Sequence, residues 1–278
     1  MPPKAKDHIV LSQNAFWDFL NNIELVLVHI CQKLFLAKQL QKFHLLCEKM
    51  LGSYVIGYMP LLVYSLGFYN ESQKLGKSLL FYAIFSSFGK HFISRKRPCH
   101  YPSVYQPDPA PTSSFPSRHT IAVVVLSQLI PNLYGKVFFI AFMITNRLVL
   151  GLHFLTDCLA GIILGLLANK AAGYIEDLDL IIVLSVSALV VWHNCNRIVG
   201  GVLPIIVAKK QVCPSVCIVL ALIKMPLVDM ATKLLHPTTR YDLLVKELFA
   251  SAISTFIVSF SAPYVSLFTE RIQEYLFS

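Results

Sequence analysis

Charge is scarce in this sequence. Only 14% of its 278 residues are Asp, Glu, Lys or Arg, where a soluble domain carries about 25%. That shortage excludes an ordinary soluble globular domain. The hydrophobic residues, 55% of the chain, instead fall in long blocks, of the kind that crosses a bilayer in about 20 residues. Acidic residues are the scarcer sign, 15 against 24 basic ones, for a net charge of +9. Much of the basic excess lies in short loops and at helix ends, with no basic face on a soluble domain. Nucleic acid is therefore not the expected partner, and a phosphate ligand and membrane headgroups account for the charge better. Seven cysteines include no CxxC pair, and their odd number rules out a full disulfide framework. Cys31, Cys158, Cys213 and Cys217 sit in apolar runs and read as packing residues. No metal-ligand set appears, so neither metal nor cofactor is expected. The first 14 residues lack the layout of a cleaved signal, which leaves targeting to the first span.

What is present is a series of apolar helical blocks, and the expected fold is all-α, a polytopic membrane helical bundle. Residues 1–50 form an N-terminal segment, 51–175 the core, and 176–278 additional C-terminal spans. Phe16 to Leu36 is amphipathic and carries Glu24, His29 and Lys33; it reads as a span, with a position in the interface plane as the alternative. Lys38 to Lys49 is basic and amphipathic, most simply an interfacial helix. Spans are expected at Leu51–Tyr69, where Pro60 permits a kink, and at Leu75–Ile93, His119–Tyr134, Val137–Leu152 and Phe154–Ala172. Further spans follow near Leu178–His193, Cys213–Val228 and Glu247–Phe268, with a short apolar stretch at Ile198–Ala208 too brief to cross. Six prolines between Arg95 and Pro116 exclude helix there, and the segment reads as an ordered loop covering a site.

One stretch organises the rest. Asn146 to Asp157 reads NRLVLGLHFLTD and sets Arg147, His153 and Asp157 at the edge of apolar helices, where an ionisable residue is a functional-site hypothesis by default. His153 and Asp157 are four apart, so on a helix they share a face and the carboxylate can reach an imidazole N–H. That bond would leave the other ring nitrogen unprotonated and free to attack. Gly151 is a point where the helix can break. The bland alternative is a polar cluster with a structural role only.

Two further clusters accompany it: Lys90 and Arg97-Pro98 in KHFISRKRP, and Pro116 to His119 in FPSRHT. Lys90 and Arg97 have six residues between them, Arg147 and His153 five, and His153 and Asp157 three. In order and in spacing the three clusters resemble the signature of the type 2 phosphatidic acid phosphatase and vanadium haloperoxidase superfamily. If the spans alternate, all three also meet at one membrane face. The resemblance implies a six-helix phosphatase core plus C-terminal extra spans, and phosphoryl transfer without a metal. It assigns Lys90, Arg97 and Arg147 to the phosphate oxygens, His153 to attack on phosphorus with Asp157 orienting it, and His119 to protonation of the leaving oxygen and activation of water. Ser117 and the N–H groups around Arg118 stand at a helix N-terminus, a natural anion site. Asn146 stands where the family usually has serine, and Arg118 where it usually has glycine. The second change keeps the N–H but crowds a large headgroup.

Beyond the core, the chain is similar to the sphingosine-1-phosphate and long-chain-base-phosphate phosphatases. The stretch KMPLVDMATKLLHPTTRYDLLVKELF, followed by SAPYVSLF, resembles their C-terminal pattern. This implies a membrane lipid phosphate as substrate, an endoplasmic reticulum location and a site facing the lumen. A polyprenyl (dolichyl) diphosphate phosphatase shares the three motifs and is the enzyme alternative. A catalytically inactive lipid-binding scaffold is the alternative of another class.

Overall fold

The computed structural model describes residues 15–50, 53–105 and 112–174. Among them the chain forms seven α-helices: α1 (Ala15–Phe35), α2 (Lys38–Met50), α3 (Ser53–Ser65), α4 (Tyr69–Phe92), α5 (Arg118–Leu126), α6 (Leu133–Val149) and α7 (Leu155–Tyr174). Short 3-10 turns lie at Pro98–His100 and Ser127–Leu129, and no strand occurs among the described residues. The all-α expectation therefore holds for this part of the chain. The N-terminal 14 residues and every span expected after Tyr174 lie outside the described residues.

The centre is built from α4, α5 and α7, with α3 against α4, α6 against α5 and α1 against α6. Leu75, Leu79 and Ala83 of α4 pack with Ile121, Ala122 and Val125 of α5 and with Ala168 and Ala172 of α7. Small residues set how close these helices come. A Cβ built on Gly165 would lie 2.6 Å from the Cβ of Val124 and 3.0 Å from the carbonyl oxygen of Ile121. One turn earlier, a Cβ on Gly161 would lie 2.9 Å from that of Thr120. The two glycines, four apart, let α7 approach the backbone of α5 as small-residue seams do in membrane bundles.

The first helix is inside out by the standard of a soluble protein. Its buried residues are Asn21, Glu24, Val28 and Gln32, spaced three and four apart along one face. Phe16, Phe19, Ile23, Val26, Ile30 and Leu34 point outward. Between α1 and α2 the chain bends by 119°.

Several boundaries differ from expectation. The expected span His119–Tyr134 is broken: α5 stops at Leu126, a 3-10 turn follows, and Asn132 begins α6 with its side chain accepting from Gly135 N at 2.5 Å. Pro131 explains the break, because it disfavours the helical conformation at Ile130 and brings no N–H. Nine residues of α5 rise only about 14 Å. Likewise α3 is shorter than Leu51–Tyr69, and α6 runs from Leu133 to Val149 rather than Val137 to Leu152. Among the described residues only α7 is by itself long and apolar enough to cross a membrane; α1 and α2 qualify only as a bent pair.

The α5–α7 seam supplies a test. Gly165→Ala forces a methyl group into Val124 and should destabilise the fold by about 1–3 kcal/mol. Thermal unfolding in detergent reads this directly, and an unchanged midpoint would show that the seam is looser than described.

Candidate active site

The site begins where α4 ends. Ile93 is extended and stops the helix, which leaves Lys90 buried in the last turn with its Nζ donating to Ser113 O at 2.6 Å. Residues 93–97 are not helical, and their side chains alternate: Arg95 and Arg97 are buried, while Lys96 between them is not. Arg97 donates to Thr112 O (2.9 Å), Thr112 Oγ1 (2.9 Å), Leu152 O (2.8 Å) and Ser113 O (3.3 Å). Burial above all pushes the pKa of Arg97 down to about 10, which still leaves it charged at neutral pH.

A second part comes from the turn between α6 and α7. Asn146 and Arg147 lie fully buried in the last turn of α6. The chain then reverses at Gly151, whose φ of +62° favours glycine. A Cβ there would lie 2.7 Å from Val104 Cγ1 and 2.8 Å from Tyr105 O. The reversal is stitched to the segment after α4 by Cys99 N, which donates to Gly151 O at 2.9 Å. It delivers His153 just ahead of α7. Arg97 Nη1 lies 3.3 Å from His153 Nε2. A guanidinium only donates, so Nε2 is the unprotonated nitrogen in this contact and the ring proton sits on Nδ1. Burial first, then Arg97, Lys90, Arg147 and His119, hold the His153 imidazole well below its ordinary pKa.

The expected hydrogen bond from His153 to Asp157 needs correction. Nδ1 and Asp157 Oδ2 are 3.6 Å apart, beyond hydrogen-bond length. The physical reason is that His153 precedes the helix, so the helical four-residue relation does not apply. Asp157, in the first turn of α7, reaches back to accept from Phe154 N at 2.9 Å, as an acidic residue does at the third position of a helix. Its Oδ2 also accepts from the Ser114 hydroxyl, and its Oδ1 takes Arg95 Nη1 at 2.6 Å. Asp157 remains the negative charge beside the Nδ1 side of the ring.

The third part is the start of α5. Ser117 is its N-cap; the hydroxyl accepts from Thr120 N and from Thr120 Oγ1 at 2.9 Å. That side chain is buried and committed to the cap, and the Ser117 N–H donates to Asp157 O at 3.1 Å. Both groups of Ser117 are therefore spent on the fold, and the expected anion contact from Ser117 is corrected. Arg118 is half-exposed and makes no side-chain hydrogen bond or ion pair among the described residues. His119 places Nε2 3.5 Å from Glu48 Oε1, and Glu48 Oε2 is ion-paired with Arg147 Nη1. The structure thus draws Lys90, Arg97, Arg147, His119, His153 and Asp157 into one group, all buried but the partly exposed His119. His100, assigned to no motif, accepts at Nδ1 from Arg97 N at 3.2 Å.

Sequence reasoning passed over four residues of this group: Arg95, Glu24, Ser114 and Glu48. Arg95 is buried between two carboxylates, with Nη2 at 2.5 Å from Glu24 Oε2 and Nη1 on Asp157, while Nε donates to Asn21 Oδ1 at 2.8 Å. Glu24 also receives Thr156 N (2.7 Å) and Thr156 Oγ1 (2.8 Å). The signal was available in the two-residue alternation of RKR, since an extended segment that turns Arg97 inward turns Arg95 inward as well. Ser114 lies in the loop between two motif clusters, where nothing marked one serine over its neighbours. No signal tied Glu48 to the site, because it reaches the site from a separate part of the chain.

Compared with known families, the chain matches the model of the PAP2 superfamily over residues 73–175. That interval holds every catalytic and phosphate-binding residue named from the sequence. No curated protein and no solved structure matches the chain.

Removing Arg95 should be severe. Arg95→Ala leaves Glu24 and Asp157 buried without their shared counter-charge, and a broken buried pair costs about 3–5 kcal/mol. Unfolding measurements on the variant check this; a loss below about 1 kcal/mol would mean that the two carboxylates are better solvated than the structure shows.

Proposed function

We propose that this chain is a membrane lipid phosphate phosphatase that passes the phosphoryl group through His153, with sphingoid-base monophosphates as its substrates. The PAP2 match over residues 73–175 supports a phosphatase acting on lipid phosphates. The observation that carries the reading is the placement of three buried cations around one imidazole, with Arg97 against its unprotonated Nε2. The reading of a membrane enzyme is supported by the composition, by α7, and by the apolar outer face of α1.

In phosphoryl transfer most of the catalysis is positioning and charge stabilisation. Lys90, Arg97 and Arg147 take the phosphate oxygens and answer the charge that grows on them. The lone pair on His153 Nε2 attacks phosphorus as the bond to the lipid oxygen breaks, and His119 gives its proton to that oxygen. Asp157 faces the Nδ1–H side and stabilises the ring as it becomes cationic. Water, losing its proton to His119, then attacks phosphorus. The new phosphorus–oxygen bond forms as the phosphorus–nitrogen bond breaks, releasing inorganic phosphate and returning the electron pair to His153 Nε2. The three cations carry the charge stabilisation that a metal would otherwise supply, so this mechanism calls for none. The choice of sphingoid bases rests on the C-terminal resemblance, which lies outside the described residues.

His153→Ala should abolish phosphate release, and Asp157→Asn should slow it by roughly 10³–10⁴-fold with substrate binding largely kept. The panel to use is a sphingoid-base phosphate, phosphatidic acid and dolichyl diphosphate, with purified full-length protein. Turnover by His153→Ala would sink the nucleophile, and preference for dolichyl diphosphate would sink the substrate assignment.

We place the site on the lumenal side of the endoplasmic reticulum membrane. Asn70-Glu71-Ser72 is the only glycosylation sequon, and Asn70 is exposed in the first turn of α4, the helix end opposite Lys90. On this topology Asn70 faces the cytosol and stays bare. A glycan found on Asn70 in cells would invert the model.

A further inference from the structure

We propose that Glu48 is a built-in occupant of the phosphate site: its carboxylate lies against Arg147 and His119 where a substrate phosphate binds, and substrate must displace it. This rests on the phosphatase reading above and adds a regulatory device to the same site.

The geometry carries the argument. The two carboxylate oxygens divide between the two groups, Oε2 on Arg147 Nη1 and Oε1 at 3.5 Å from His119 Nε2. A phosphate would present its oxygens to the same pair, because carboxylate and phosphate share the geometry that guanidinium binds. The other two cations are answered differently. Lys90 is satisfied by a carbonyl, and Arg97 by carbonyls, a hydroxyl and His153. Arg147 is fully buried, its Nη1 is met by Glu48 Oε2, and its Nε finds no hydrogen-bond partner among the described residues. Apart from the neighbouring Asn146 carboxamide, Glu48 is the group that answers its charge.

Glu48 can also leave. It belongs to α2, outside the interval 73–175 that holds the expected catalytic and phosphate-binding residues, and it is half-exposed. Glu24, by contrast, is buried and tied to Arg95 and Thr156. The helix is held over the site by Asn146, whose Nδ2 lies 3.0 Å from His44 Nδ1 and donates to His44 O at 3.1 Å. The Oδ1 of the same carboxamide accepts from Arg147. A carboxamide has the two ends this bridge needs, whereas a serine hydroxyl would have to make both contacts from one short arm. The asparagine at this position thereby couples the lid helix to the phosphate-binding arginine.

The test compares wild type with Glu48→Gln, which keeps the shape and removes the charge, using purified full-length protein in detergent. Inorganic phosphate is the probe, read as its Kd by calorimetry and as its Ki against lipid phosphate hydrolysis. The expected result is phosphate binding about tenfold tighter in Glu48→Gln, equivalent to about 1.4 kcal/mol. Unchanged or weaker binding overturns the proposal. So does a fall in kcat with phosphate affinity unchanged, since that makes Glu48 a positioning partner of His119. If neither protein binds phosphate, the phosphate-site reading itself fails and takes this proposal with it.

Discussion

A buried charge must be paired, and in this molecule that requirement converges on Arg95. Its guanidinium is fully buried, joins Glu24 of α1 to Asp157 of α7, and lies between the rings of Trp17 and Phe154, 4.6 and 4.3 Å from their centroids. Breaking such a pair strands a charge away from water, which costs far more than the pair gains when formed. The first helix, the loop after α4 and the start of α7 therefore hold one relative placement. That placement puts Asp157 beside His153 and leaves Arg97 free to reach it.

The site itself gathers positive charge, and the fold disperses the repulsion through dipoles. Ser113 O receives both Lys90 and Arg97, and Leu152 O and Thr112 O receive Arg97. Carbonyl groups stabilise a cation without carrying a full charge, so an anion entering the group still meets uncancelled positive potential. Arg147 is the exception, being set against the carboxylate of Glu48. The polar interior also explains why α1 turns its apolar side outward: its inner face is spent on Asn21, Glu24 and Gln32, bonded to Tyr101, Arg95 and Tyr105 of the loops around the site.

The sequence by itself determined the helical class, the existence and approximate extent of most described helices, and which groups are candidates for the site. Those follow from local rules: apolar block length, proline exclusion, and the retained spacing of Lys90, Arg97, His119, Arg147, His153 and Asp157. It also pointed to Gly151 as a break, since a residue without a Cβ adopts the positive φ that a reversal needs. Only the tertiary structure decided who pairs with whom. Asp157 turned to Arg95, Ser114 and Phe154 N rather than bonding His153, because His153 precedes the helix. Ser117 was spent on its own cap. Glu24 and Glu48 reached the site from 133 and 109 residues before Asp157, and no local pattern encodes a partner at that distance. Which charges answer one another is settled by burial, and burial exists only once the helices have packed.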